Sequence, residues 1–222
     1  AYHHTEIVYM KKDKEVLRDE EHEIAKEVSQ GIVCADRSKM SLQGLIDYAD
    51  TVDLAEIRDV IGRQIEMNSR ISQEGLDNAW GAQVGKTILG SFGHDVRTEA
   101  CAAAAAGSDA RMSGCPLPVV INSGSGNQGI TVTMPVLVYA REWKISEEKM
   151  YRAMLVSNLV SIYIKHYIGA LSAFCGAVSA ACGSGAAITY MAGGDYYRIG
   201  RTITNTLANV GGIVCDGAKR SC

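Results

Sequence analysis

Apolar and polar positions alternate along this chain with the period of helices over most of its length. After Asp53, apolar residues stand at Leu54, Ile57, Ile61, Ile65 and Met67. That spacing follows one face of a helix, in a stretch that Gly75 and Gly81 are expected to divide. Residues 20–34 and 41–50 have helical composition, with Ser41 as a candidate N-cap. His94 to Met112 contains CAAAAA, and alanine is the best helix former. From Ser146 the run SEEKMYRAMLVSNLVSIYIKHYIG opens on Glu147 and Glu148, which favour a helix N-terminus. It then becomes apolar nearly all round, as a central buried helix does. Residues 170–192 and 196–214 read as two further helices rich in small side chains.

Two stretches break this pattern. Residues 5–10 (TEIVYM) and 15–17 (EVL) flank KKDK, the pattern of a β-hairpin. Residues 114–129, GCPLPVVINSGSGNQG, hold two prolines and four glycines and form a loop. Helix resumes near Asn127, and Pro135 is expected to kink or break it. The fold class is therefore mainly α, a compact helical domain at 20–222 with a small β-hairpin remnant at 1–19.

Composition narrows the function. Hydrophobic residues make up 47% of 222, enough for a sizeable core. A net charge of −3 gives no electrostatic basis for binding nucleic acid. No apolar run reaches the ~18 residues of a membrane span. The start AYHHTEIVYM carries neither an initiator Met nor the order of a signal peptide, which fits a piece of a longer chain. Seven widely spaced cysteines without an export signal point to free thiols in a reducing, cytoplasmic setting.

Four groups of residues could carry chemistry. Cys175, Cys215 and Cys222 lie in SAFCGA, GIVCDG and KRSC. Antiparallel neighbouring helices could gather three thiolates around an iron–sulfur cluster, leaving one iron open. Buried structural thiols are the commoner meaning of such spacing. The second group is Asn122, Ser123, Gly124, Ser125, Gly126, Asn127 and Gln128. Glycines let backbone N–H groups converge on an anion at a helix start, as for a substrate carboxylate; a plain glycine-rich turn is the alternative. The third is Arg111 in SDARM, which could bind a carboxylate or pair with Asp109. His3 and His4 are candidate acid–base groups.

Taken together, SDARM, INSGSGNQGITVTMPV, SAFCGA and GGIVCDGAKRSC resemble the UPF0597 family, which is related to L-cysteine desulfidase and to the alpha chain of iron–sulfur L-serine dehydratase. The resemblance implies a 4Fe–4S cluster on Cys175, Cys215 and Cys222. It implies α,β-elimination from a small L-amino acid, with cysteine giving sulfide, pyruvate and ammonia. L-Serine is the alternative substrate; a cluster-binding or redox-sensing module without catalysis, or a structural domain with zinc or nothing bound, are the alternative functions. HHTEIV resembles the family's GHTNIV, which places His4 on the family histidine, as a candidate base, with Glu6 in place of Asn. Family members also carry a Gly-Cys-Thr-Glu-Pro segment, whose cysteine is implicated in catalysis, and helices past Cys222. Neither lies in this sequence, so the chain is expected to be truncated at both ends. The implied partner is the amino acid alone, with no nucleic acid and no membrane; a homo-oligomer is compatible.

Overall fold

The computed structural model describes residues 9–19, 36–169 and 172–215. Its contacts divide the chain into two compact units, residues 1–38 and 39–222. In the first, β1 (Tyr9–Lys12) pairs antiparallel with β2 (Glu15–Asp19). Lys11 and Lys12, read from sequence as part of the connection, belong to β1. Two residues suffice to turn a hairpin, and Asp13 does so at φ 54°. The helix expected over 20–34 lies outside the described residues.

The second unit holds eight α-helices among its described residues: α1 (Leu42–Thr51), α2 (Leu54–Asp77), α3 (Val84–Phe92), α4 (Val96–Met112), α5 (Gly126–Glu142), α6 (Glu147–Ile168), α7 (Gly176–Met191) and α8 (Tyr196–Val210). Five of them start on a capping side chain. Ser41, Asp53, Asp95, Ser146 and Asp195 each accept a hydrogen bond from a first-turn amide of their own helix, which satisfies a donor the helix cannot. α3 is capped from a distance, as Val84 N–H donates to the Asp109 carboxylate at 2.7 Å.

The core lies where α5, α6 and α7 meet. Val132, Val136, Met154, Val156, Val160, Cys182 and Ala186 are all fully buried there. Small residues allow the close approach. A Cβ on Gly183 of α7 would stand 2.3 Å from the Ser157 carbonyl of α6. Gly75, expected to interrupt a helix, stays inside α2 for the same reason: its Cβ would meet the Ala106 carbonyl of α4 at 2.0 Å. Gly81 does fall in the break, at φ 54°. α5 runs through Pro135 unbroken; burial of Val132, Met134, Val136 and Leu137 around it outweighs the lost helical bond.

The two C-terminal helices are shorter than the small-residue pattern suggested. Residues 172–175 and 211–215 are not helical. Gly169 at φ 84° ends α6, and Gly212 at φ 88° follows α8. The flanking segments instead pair with each other in an antiparallel bridge, Phe174 opposite Val214. No helix among the described residues is long and apolar enough to cross a membrane.

Candidate functional site

The loop before α5 is a tight reverse turn. Asn122 and Ser125 exchange both backbone hydrogen bonds, at 3.1 and 3.0 Å. Between them Ser123 and Gly124 take φ of 49° and 86°, the two left-handed positions of a two-residue hairpin turn. Gly124 is the exposed tip, while Asn122, Gly126, Asn127 and Gln128 are buried.

Buried amide and hydroxyl side chains hold this turn in place. Asn68 on α2 accepts from Val120 N–H at 2.9 Å and donates to the Gly129 carbonyl at 3.0 Å. Asn122 donates to the Asn158 side-chain oxygen at 3.0 Å and accepts from Ser161 at 3.0 Å. Asn158 and Gln64 bond each other, and Gln64 donates to Thr133 at 2.8 Å. These groups escaped the sequence reading. The available signal was polar residues at core spacing: Gln64, Asn68 and Ser72 share the buried stripe of α2 with Ile57, Ile61 and Ile71. Buried polar groups need partners, and here the partner is the loop.

Arg111 does not pair with Asp109. It lies over Gly126, where a Cβ would stand 2.2 Å from its Nε, and donates to the Asn127 side-chain oxygen at 3.0 Å. It therefore braces the start of α5.

The bridge between residues 173–175 and 213–215 brings two candidate cysteines together. Cys175 N–H donates to the Ile213 carbonyl at 2.9 Å, and Cys215 N–H to the Ala173 carbonyl at 2.6 Å. Cys175 and Cys215 are thus diagonal neighbours on one face of the bridge, about 7–8 Å apart between Cα atoms. Ligand sulfurs of a cubane cluster lie within about 6–7 Å of each other, so the pair fits two of its corners. Cys182 differs: it is fully buried in α7, and burial pushes its thiol up to about 11, the state of an inert core residue. The described residues contain no group of three or more metal-binding side chains. Cys222, the third expected ligand, and His4 lie outside the described residues.

The bridge and the loop sit at one end of the bundle. Gly176, the first residue of α7, faces Gln128 in the first turn of α5; a Cβ there would fall 2.1 Å from the Gln128 amide nitrogen. Neither α5 nor α7 has a side-chain N-cap; Ser125 and Cys175 occupy those positions without capping. Two uncapped helix starts thus converge beside Cys175, and each favours negative charge. An apolar cleft of about 240 Å³ opens next to them, lined by Ile164, Phe174, Cys175, Val178 and Ser179. A larger cavity of about 470 Å³, between Arg70, His94, Glu99 and Arg141, includes none of the expected site residues.

Residues 8–222 match the family described as serine dehydratase alpha chain. A UPF0597 protein of Lachnoclostridium phytofermentans is 52% identical over 99% of this chain and 51% of its own length. One from Desulfitobacterium hafniense is 49% identical over the whole of this chain and 51% of its own. One from Treponema denticola is 48% identical, over the whole chain and 52% of its own. The chain spans about half the length of these relatives. No solved structure matches. Match and identity extend across the loop, the bridge and the bundle that holds them, and the chain belongs to the serine dehydratase alpha chain family, among its UPF0597 proteins.

Proposed function

We propose that this chain is part of an iron–sulfur-dependent lyase that performs α,β-elimination on L-cysteine. The observation that carries this reading is the placement of Cys175 and Cys215 on one face of the bridge, beside the two uncapped helix starts. Cys175, Cys215 and Cys222 would hold a 4Fe–4S cluster. Held by three thiolates, such a cluster supplies an open iron, a Lewis acid for a leaving sulfur or oxygen.

The chain's own residues bind and orient. The turn at 122–125 and the first turn of α5 offer backbone and amide groups to a small amino acid, and Arg111 fixes Asn127 among them. A base removes the α-proton as the Cβ–S bond breaks. His4, or the cysteine of the relatives' Gly-Cys-Thr-Glu-Pro segment, is proposed for that role. Sulfide leaves, and the resulting aminoacrylate takes up water to give pyruvate and ammonia. The family's description favours a second reading, L-serine dehydration by the same route with water as the leaving group.

The test uses the full-length protein, purified without oxygen. Iron and acid-labile sulfide should be present, and pyruvate should form from L-cysteine faster than from L-serine. The reverse preference would support the dehydratase. Bound iron without turnover of either substrate leaves a cluster-binding module. Cys215→Ala should lose iron and activity together; a variant that retains both would exclude Cys215 as a ligand.

A further inference from the structure

Three polar side chains at this end of the bundle are more than nine-tenths buried and have no hydrogen-bonding or ionic partner for the atom concerned. Lys165 of α6 is 5% exposed. It forms no ion pair or side-chain hydrogen bond among the described residues. Gln128 and Ser179 are 7% and 1% exposed, and the Gln128 side-chain oxygen and the Ser179 hydroxyl, both sealed from solvent, have no partner. Sealed and unpaired, the Gln128 oxygen and the Ser179 hydroxyl each cost free energy that folding does not recover. A mixed set of one cation, one acceptor and one hydroxyl is what a ligand with both charges would satisfy.

Their positions converge. Ser161 of α6 bonds Asn122 of the loop, and Lys165 stands one helical turn further along the same stripe. The next residue back, Ile164, lines the cleft that Cys175 and Ser179 share. α6 and α7 run antiparallel, with Gly183 against Ser157 and Ser161. Following the two helices toward the bridge brings Lys165 level with the start of α7. There Gln128 meets Gly176.

We infer that Lys165, Gln128 and Ser179 form the seat of an α-amino acid zwitterion. Lys165 takes the carboxylate and the Gln128 oxygen accepts from the ammonium. The Ser179 hydroxyl serves either, and the apolar cleft receives the side chain beside Cys175. This rests on the reading of the site as one for a small L-amino acid, and it moves the carboxylate from the loop amides to Lys165.

L-Alanine, propionate and ethylamine make a matched set of probes. They carry both charges, the carboxylate alone and the amine alone, and none can undergo elimination. Binding of each is titrated by ligand-observed NMR to the full-length protein. Lys165→Met should weaken L-alanine and propionate about ten- to a hundredfold, the range for a hydrogen bond to a charged group, and leave ethylamine unchanged. Gln128→Leu should weaken L-alanine and ethylamine and spare propionate. Should Lys165→Met fail to fold, Gln128→Leu decides by itself. The assignment is overturned if L-alanine does not bind the parent protein, or if either variant weakens all three probes alike or none. Iron content of the same preparations keeps the two readings apart. A missing cluster with intact probe selectivity sinks the elimination chemistry only. A full cluster without that selectivity sinks this assignment only.

Discussion

Asn68 offers the sharpest test of how the loop is held. Its side chain is fully buried. It accepts from Val120 N–H at 2.9 Å and donates to the carbonyls of Gly129 at 3.0 Å and Val120 at 3.2 Å, and to the Thr133 hydroxyl at 3.1 Å. One amide thus ties α2 to the segment entering the turn and to the first turns of α5. Asn68→Ala removes all of these and leaves a small void. The Gly129 carbonyl keeps the Thr133 hydroxyl as a donor, and the half-buried Val120 can reach water after a small shift. With about 1 kcal/mol for each of the remaining losses, plus the void, the expected destabilisation is about 2–4 kcal/mol. Urea unfolding followed by far-UV circular dichroism should show a lower midpoint at an unchanged slope. Asn68→Asp should lose as much or more, because it keeps the shape but turns a carboxylate toward two carbonyl oxygens. If both variants unfold within about 0.5 kcal/mol of the parent, the range of an ordinary surface change, the network does not hold the loop.

Two glycines near the site should respond oppositely to alanine. Gly129→Ala drives a Cβ to 1.9 Å from the Val120 carbonyl, so the backbone must move and stability should fall by about 3 kcal/mol in urea unfolding. Gly176→Ala meets only the end of the Gln128 side chain, so the unfolding midpoint should barely move while turnover drops by up to about a hundredfold; wild-type turnover would refute the place given to Gln128. Cys182, raised to about 11 by burial, should resist iodoacetamide at pH 8 in the native protein and react only after unfolding, as peptide mass mapping would show. At the start of α4, the Thr98 backbone N–H and then the Arg97 guanidinium hold the Asp95 carboxyl at about 2, below its ordinary 3.8. A depressed acid stabilises the fold above its unfolded value and loses that contribution as pH falls through about 2. The Thr98 amide resonance should titrate with that midpoint, and Asp95→Asn should abolish the transition.

The sequence by itself determined the helical unit, because periodicity and capping are local. Ser41 caps α1 where its hydroxyl precedes an apolar run, and Asp53 does the same for α2. The turn at Ser123-Gly124 was legible as a loop, since glycine and proline restrict the backbone wherever they stand. The motifs carried the family. Only the tertiary structure decided what these pieces do together. Cys175 and Cys215 meet because the ends of two helices give way to a bridge, and pairing between residues about forty apart leaves no local trace. Gly75 and Pro135 stay inside helices because packing around them outweighs their intrinsic preferences. Asn68 and Gln64 read as ordinary polar residues on an amphipathic helix, and Lys165 as one charge near the end of a helix that is apolar nearly all round. Burial alone gives them meaning, because a polar group removed from water must find a partner in the fold or in a ligand.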